Sequence, residues 1–396
     1  MISFLPFAVF ITLLAQSPAV LPAPPVTPQP VTPPAVTQDP SVWKAAESAQ
    51  LTKQTQLTFP EQFVKAGEAY FSPEGNRIIF QAVEQPENGQ PPADFYSMYV
   101  ADLAVNAAGD PALKNIQRVS PPGSANTCGW FDASRPNTVV FGSTLVAPKV
   151  SDAPGYQRGT GRYKWQFPPE MRVVEVDLTH AAAIAAGTEQ PKVLAGDGLA
   201  YTAECTTSVD GVHLLFCTLA QGAGGAGGAG DLAVKNLQTG KVTSLVAAQG
   251  YDGGPFFSPD ERQLCYRSDR NNDSLLQVFI CDIVRDESGA ISGTTNERKL
   301  TDNAHVNWAP YWHPTGLRLV YASSEVGHTN YEIFSVEAPT SGGGAPPTRT
   351  RVTQADGADV LPVFNANGSK MMWTSQRGAG RSSQLWIADV VTAHTR

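Results

Sequence analysis

Acidic and amide residues recur at matched places along this chain. Counted from the start of each repeated strand-forming segment, Glu68, Cys128, Glu204 and Gly254 fall at one equivalent position, and Asp252, Asn307 and Asp359 share another, two residues earlier. Oxygen-bearing side chains converging on one axis suit a hard cation such as Ca²⁺ or the hydroxyl groups of a glycan. The competing role is plainer: such groups satisfy backbone N–H groups at the starts of strands. His305 and His328 fall beside them, so the candidate channel-mouth set is Glu68, Glu204, Asp252, Asn307, Asp359, His305 and His328. His313 stands in a turn on the opposite side, so the three histidines do not make one metal site, and no metal-plus-base constellation emerges. No cofactor is expected, with Ca²⁺ the one ion that the carboxylates suit.

A second candidate region is the segment from about Leu145 to Glu170, where aromatic and basic residues interleave: Tyr156, Arg158, Arg162, Tyr163 and Trp165. Long insertions of this composition are typical of interfaces; the alternative is a lid folded back on its own repeat. No Gly-x-Ser-x-Gly elbow for a nucleophilic serine occurs. The five cysteines (128, 205, 217, 265 and 281) leave at least one thiol over. Aligning the third repeat on the others puts Cys205 opposite Cys217, within disulfide reach if directly paired. No Cys-x-x-Cys points to structural zinc.

Bulk properties limit the partners. A formal net charge of -8 over 396 residues, with a pI near 5.3, excludes the basic surface that nucleic acid or anionic lipid requires. Residues 1–15, MISFLPFAVFITLLA, are apolar and uncharged, too short to span a bilayer comfortably, and followed by small residues near Ser17-Pro18-Ala19. They read as the core of a signal peptide spanning 1–19, so a periplasmic or secreted location is expected, with no membrane-spanning segment in the mature chain. Residues 20–54 read as a Pro-rich linker of polyproline character, with a short helix over Trp43–Gln50.

The elements that must position these residues come from a repeat. An aromatic or small residue precedes a four-residue turn, and an aliphatic run ends in an aromatic nine residues after it. Phe71, Ser72-Pro73-Glu74-Gly75 and Phe80 are one copy; Phe257, Ser258-Pro259-Asp260-Glu261 and Tyr266 are another. Trp312 to Tyr321 and Phe364 to Trp373 follow the same plan, while Thr207 to Phe216 and Phe131 to Phe141 are degenerate copies. Pro and Gly at fixed offsets pre-set tight turns, so each copy is a hairpin. A third strand and a fourth short strand, such as Lys299-Leu300-Thr301, complete five copies; the sixth lacks its fourth strand. Gln56-Leu57-Thr58, before the first copy, supplies it. The fold is therefore expected to be all-β: a six-bladed propeller of four-stranded blades, its last blade closed by the N-terminal strand. The blades run over about 62–120, 121–196, 197–246, 247–302, 303–354, and 355–396 plus 55–59.

The motifs FSPEG, FSPDE and WHPTG, with Leu-Thr strand ends, resemble the TolB-like, WD-like propeller repeat over roughly residues 55–396. Only a Pro-rich stretch precedes the ring, so the resemblance is to the repeat family and not to TolB itself. The propeller half of prolyl-oligopeptidase-type peptidases is also similar, but the hydrolase half has no counterpart. The absence of a hydrolase half and of a nucleophile-base motif, with the unusual residues clustered on one face, leads to the expectation of a non-catalytic binding or protein-interaction ring that holds its partner at the channel mouth and the 145–170 loop. The resemblance implies an envelope protein as that partner, and a glycan is the other candidate. The alternatives are an enzyme acting on polysaccharide or peptide through a carboxylate- or metal-lined channel, and an inert scaffold.

Overall fold

The computed structural model describes residues 38–391, apart from 88, 150–154, 158–161, 165–167, 220–229, 272 and 340–346. The expected leader and most of the Pro-rich tract lie outside these residues. Six four-stranded antiparallel sheets form the blades. Their innermost strands are Phe63–Phe71, Asn126–Phe131, Thr202–Thr207, Asp252–Phe257, Asn307–Trp312 and Asp359–Phe364. Each of these touches the next around the ring, and the sixth touches the first. The chain is a six-bladed β-propeller.

The repeated turn explains the repeated sequence. In blade 1 the Ser72 N–H donates to the Arg77 carbonyl and the Gly75 N–H donates to the Ser72 carbonyl; Ser258, His313 and Asn365 anchor the same pair of bonds in blades 4, 5 and 6. The fourth turn residue is left-handed: Gly75 has φ 72°, Gly211 70°, Gly316 71° and Gly368 71°. That is the region glycine enters without Cβ strain, and Glu261 adopts it at φ 53° in blade 4. All six turns lie on one face, called here the turn face. The connections from blade to blade lie on the other.

The ring closes where the sequence pattern placed it, but five residues earlier. The closing strand is Leu51–Gln56, paired antiparallel with Gln384–Val390 from Leu51↔Val390 to Gln56↔Trp386. Leu57 and Thr58 continue the bonding: the Leu57 N–H donates to the Leu385 carbonyl and the Leu385 N–H to Thr58 Oγ1. The helix is likewise shifted, to Pro40–Glu47, with the Asp39 side chain accepting from the Ser41 N–H as its cap. The folded ring thus draws in much of the segment read as linker.

That helix, α1, fastens the closure. Glu47, fully buried, accepts from Arg377 Nη1 at 3.0 Å and Nη2 at 2.9 Å, and Arg377 Nη2 also reaches Asp359 Oδ2 at 2.6 Å. The remaining valences are filled: the Gln354 N–H donates to Glu47 Oε1, Gln54 Nε2 to Glu47 Oε2, and the Trp373 indole N–H to Asp359 Oδ1. Three indoles surround the guanidinium, with Trp43, Trp373 and Trp386 centred 4.4, 5.0 and 5.7 Å away. One cation in a desolvated aromatic box therefore ties the N-terminal helix, the connection into blade 6 and the inner strand of blade 6. Replacing Arg377 by Met leaves two carboxylates buried without a counter-charge. The expected loss is about 3–5 kcal/mol of unfolding free energy in urea titration; a change below about 1 kcal/mol would show that the box does not hold the closure.

Candidate functional site

The channel is shaped by one device repeated six times. In every inner strand a β-bulge breaks the register with the second strand. At each bulge one residue is left-handed: Glu68 (φ 44°), Cys128 (55°), Glu204 (57°), Gly254 (59°), Ala309 (52°) and Leu361 (57°). Only one of the six is glycine, and each of the other five costs about 1–2 kcal/mol of backbone strain. The three residues that follow in blades 4 to 6 are Pro255, Pro310 and Pro362, which a bulge tolerates because it leaves a ladder N–H unused. The bulges turn these six positions onto the axis, where they line a chamber of about 20 Å³, room for a single water. Alignment of the sequence repeats had set four of them, Glu68, Cys128, Glu204 and Gly254, at one position.

Within the chamber the carboxylates serve as ties between blades. Glu204 Oε1 accepts from the Tyr201 hydroxyl at 3.0 Å and the Tyr251 hydroxyl at 2.7 Å; its Oε2 accepts from Arg267 Nη2 at 2.9 Å and the Gly254 N–H at 2.5 Å. Blade 3 is thereby stitched to blade 4. Glu68 accepts from the Thr127 hydroxyl at 3.1 Å, joining blade 1 to blade 2. Burial raises the Glu68 carboxyl above its ordinary range, and the nearby Glu204 charge pushes the same way. Burial pulls the Arg267 guanidinium down, but Tyr251 and Glu204 beside it hold it well above its usual range. A single guanidinium thus balances two carboxylates in a desolvated space.

The other proposed channel-mouth residues sit in separate networks. Asp252 Oδ2 accepts from the Ala248 N–H at 3.0 Å, and its Oδ1 lies 3.6 Å from Arg270. Asn307 donates to Gln277, Asn303 and the His305 carbonyl, and accepts from the Ser323 hydroxyl. Asp359 belongs to the Arg377 box. All three are fully or almost fully buried and none lines the axial chamber; Asp252 and Asn307 bond the connection that enters their own blade, whereas Asp359 is held by Arg377 and Trp373. The His305 N–H donates to Asn303, and His328 Nδ1 lies 3.3 Å from the Tyr331 hydroxyl; no described hydrogen bond joins the two histidines. Among the described residues no group of three His, Cys, Asp or Glu is arranged to hold a metal ion. The oxygens suited to Ca²⁺ are already engaged by cations and donors of the protein. In the 145–170 segment, Tyr156 pairs with Tyr163 in a small hairpin that includes Arg162, but their side chains, with Arg158 and Trp165, lie outside the described residues.

The turn-face half of the channel is of a different character. Two residues beyond each bulge, or one beyond its second residue, Tyr70, Trp130, Phe256 and Tyr311 meet on the axis: Tyr70–Trp130 centroids are 5.5 Å apart, Tyr70–Phe256 5.6 Å, Trp130–Phe256 5.8 Å and Phe256–Tyr311 5.2 Å. Thr206 and Val363 occupy the same level in blades 3 and 6. These rings plug the channel. Beyond them, toward the turns, opens an apolar funnel of about 270 Å³ with prolines and aromatics in its walls. The two serine hydroxyls of its rim are engaged in the turns: Ser72 Oγ bonds Asn76, and Ser258 Oγ bonds Asp260. The repeat comparison missed this feature, although its signal was legible: Tyr70-Phe71, Trp130-Phe131, Phe256-Phe257 and Tyr311-Trp312 are paired aromatics. Strict strand alternation would send only one of each pair inward; with the channel on the edge side, both are taken up.

The expected Cys205–Cys217 disulfide is not formed, and all five thiols are free. The bulge is the reason: it places Ala203 opposite Cys217 and leaves Cys205 out of the ladder. Cys205 Sγ approaches the Cys128 carbonyl of blade 2, whereas Cys217 Sγ lies 3.2 Å from the Asp252 carbonyl of blade 4. The two thiols face opposite sides of their blade.

No family model matches the chain. Over 140 residues, 35% of its length, it is 25% identical to an uncharacterised protein of Agrobacterium fabrum, and this match spans 40% of that relative. Among solved structures, TolB from Acinetobacter baumannii is similar at 15% identity and a TM-score of 0.48, over 80% of this chain and 64% of that one. Oligogalacturonate lyase from Vibrio parahaemolyticus is similar at 14% identity and a TM-score of 0.45, over 85% of this chain and 93% of that one.

Two outcomes are expected from the channel. A carboxyl raised in the folded state binds its proton more tightly there than in the unfolded chain. Its contribution is fully present below the ordinary carboxylate pKa and fades as pH rises through the folded value. Glu68→Gln should therefore leave the melting temperature near wild type at pH 4 and raise it at pH 8; equal effects at both pH values would refute the buried-proton account. Thiol titration in guanidinium without reductant should count five free thiols, and a count of three would restore a disulfide.

Proposed function

We propose that this chain is an exported, non-catalytic binding propeller that receives part of an envelope protein in the turn-face funnel. The funnel carries this reading, because an open apolar concavity of about 270 Å³ ends on a floor of fixed aromatic rings. The groups that hydrolysis or elimination needs are otherwise engaged: Glu204 takes four donors, Glu68 is tied to Thr127, and Asp359 is clamped by Arg377. A polypeptide suits the funnel better than a glycan. Sugar hydroxyls buried there would find few free partners, since the serine hydroxyls of the rim serve their own turns. No helix among the described residues is long and apolar enough to cross a membrane.

A charge at the funnel rim tests the proposal without touching the ring's core. Val209 is 65% exposed and contributes to the funnel wall, so Val209→Arg should leave the fold intact. Crosslinking in the envelope of cells producing the protein should yield a defined adduct with wild type and at least about tenfold less with the variant. Turnover of a polysaccharide or peptide panel that is lost in Glu204→Gln at unchanged melting temperature would instead establish an enzyme.

A further inference from the structure

Three carboxylates are buried together at the seam: Glu47, Asp359 and Glu332. The first two belong to the Arg377 box. Glu332, the first residue of the third strand of blade 5, lies beside it, since the Asp359 N–H donates to the carbonyl of Tyr331 at 2.8 Å. Glu332 Oε1 accepts from Arg351 Nη2 at 2.6 Å, and its Oε2 accepts from the Thr353 hydroxyl. Arg351 and Asp359 are the charged groups that face Glu332, with Ser323 opposite it across the ladder. Arg377 and Glu47 stand behind Asp359, and His328, in the preceding loop, lies against Tyr331. Three carboxylates thus meet two guanidiniums, and only Arg377 is buried; the Arg351 side chain is 31% exposed. A buried negative charge without a counter-charge is relieved by binding a proton.

The repeat shows which carboxylate takes it. Gln277 in blade 4 and Gln384 in blade 6 occupy the position of Glu332: each starts its third strand, is buried, and stands opposite a serine, Ser268 or Ser375. The next N–H along donates in every case to a threonine hydroxyl, Thr301, Thr353 or Thr58. Gln277 Oε1 accepts from Asn307, which starts the next inner strand as Asp359 does. A neutral Gln–Asn pair at one joint is therefore a Glu–Asp pair at the next. Protonated, Glu332 has the shape and neutrality of those glutamines. We propose that Glu332 carries a proton as a structural part of the seam, and that loss of this proton unlatches α1 and the closing strand. Burial first, and then the Asp359 charge, raises the Glu332 carboxyl to about 8, against the pull of Thr353 and Arg351. Its stabilisation of the closed seam is complete below the ordinary carboxylate pKa and is lost as pH rises through about 8. Above that value the excess negative charge is relieved when α1 withdraws, taking Glu47 out of the cluster and admitting water. The latch is independent of what the funnel binds.

Trypsin reads the latch on the full-length protein, because Lys44 in α1 and Lys53 in the closing strand are cut once their backbone leaves the helix or the strand. Glu332→Gln installs the residue that blades 4 and 6 already carry, so it should fold and stay latched at every pH. Comparing the two proteins at the same pH cancels the protease's own pH dependence. The ratio of wild-type to variant cleavage after Lys44 and Lys53 should rise about tenfold or more from about pH 6 to about pH 9. A ratio that does not change with pH would overturn the latch. Should the variant fail to fold, hydrogen exchange decides on wild type alone. Exchange of residues 40–56, corrected for its intrinsic pH dependence, is divided by that of Thr138–Ser143 in the same sample. That quotient should rise by a similar factor over the same range, and parallel exchange of the two segments would equally overturn the latch.

Discussion

Every other feature of this molecule depends on keeping the ring shut. A propeller has one seam, and here it is closed by a strand of six residues, Leu51–Gln56, lying against the last strand of the chain. Hydrogen bonds along one such edge are individually worth little net free energy. The Glu47–Arg377–Asp359 box adds what the ladder lacks: a buried, geometrically specific link between residues more than three hundred positions apart. The three indoles around Arg377 exclude water from it, so breaking the box exposes charges to an interior that cannot solvate them. Closure fixes the positions of all six inner strands, and they in turn fix the channel.

The channel is consequently a strained structure held in place by its frame. Five left-handed non-glycine bulge residues concentrate backbone strain on one level of the axis, where a closed ring can over-determine their conformation. The strain has a structural return. Bulges turn Glu68 and Glu204 toward the axis, where they stitch blade 1 to blade 2 and blade 3 to blade 4. They also carry Tyr70, Trp130, Phe256 and Tyr311 inward far enough to meet. Polar chemistry is thereby confined to a one-water chamber, and the larger open space is left apolar.

Much of this was legible along the chain. The Ser-Pro-Asp-Gly turns announced the hairpins because only certain residues tolerate the required φ values; Gly75, Gly211, Gly316 and Gly368 are all left-handed. The missing fourth strand of the last copy implied an N-terminal replacement. The equivalence of Glu68, Cys128, Glu204 and Gly254 could be read by alignment, as could that of Asp252, Asn307 and Asp359. What those equivalences meant could not be read. Asp252 and Asn307 fasten the connections that enter their blades, and Asp359 is clamped by Arg377. The pairing of Cys205 with Cys217 failed because a one-residue bulge moves every later side chain to the other side of the strand.

By itself, then, the order of residues determined the architecture: the number of blades, the strands within each and the closure of the last blade by an N-terminal strand. These follow from local turn chemistry and short-range periodicity, which need no knowledge of distant neighbours. Only the tertiary structure decided which face is concave and which carboxylates are spent on ion pairs. Those properties arise when six strands, distant in sequence, are brought onto one axis. There Arg267 can reach Glu204, and Tyr70 can meet Phe256. Burial and charge at such a meeting point are set jointly by all the blades, so no single segment encodes them.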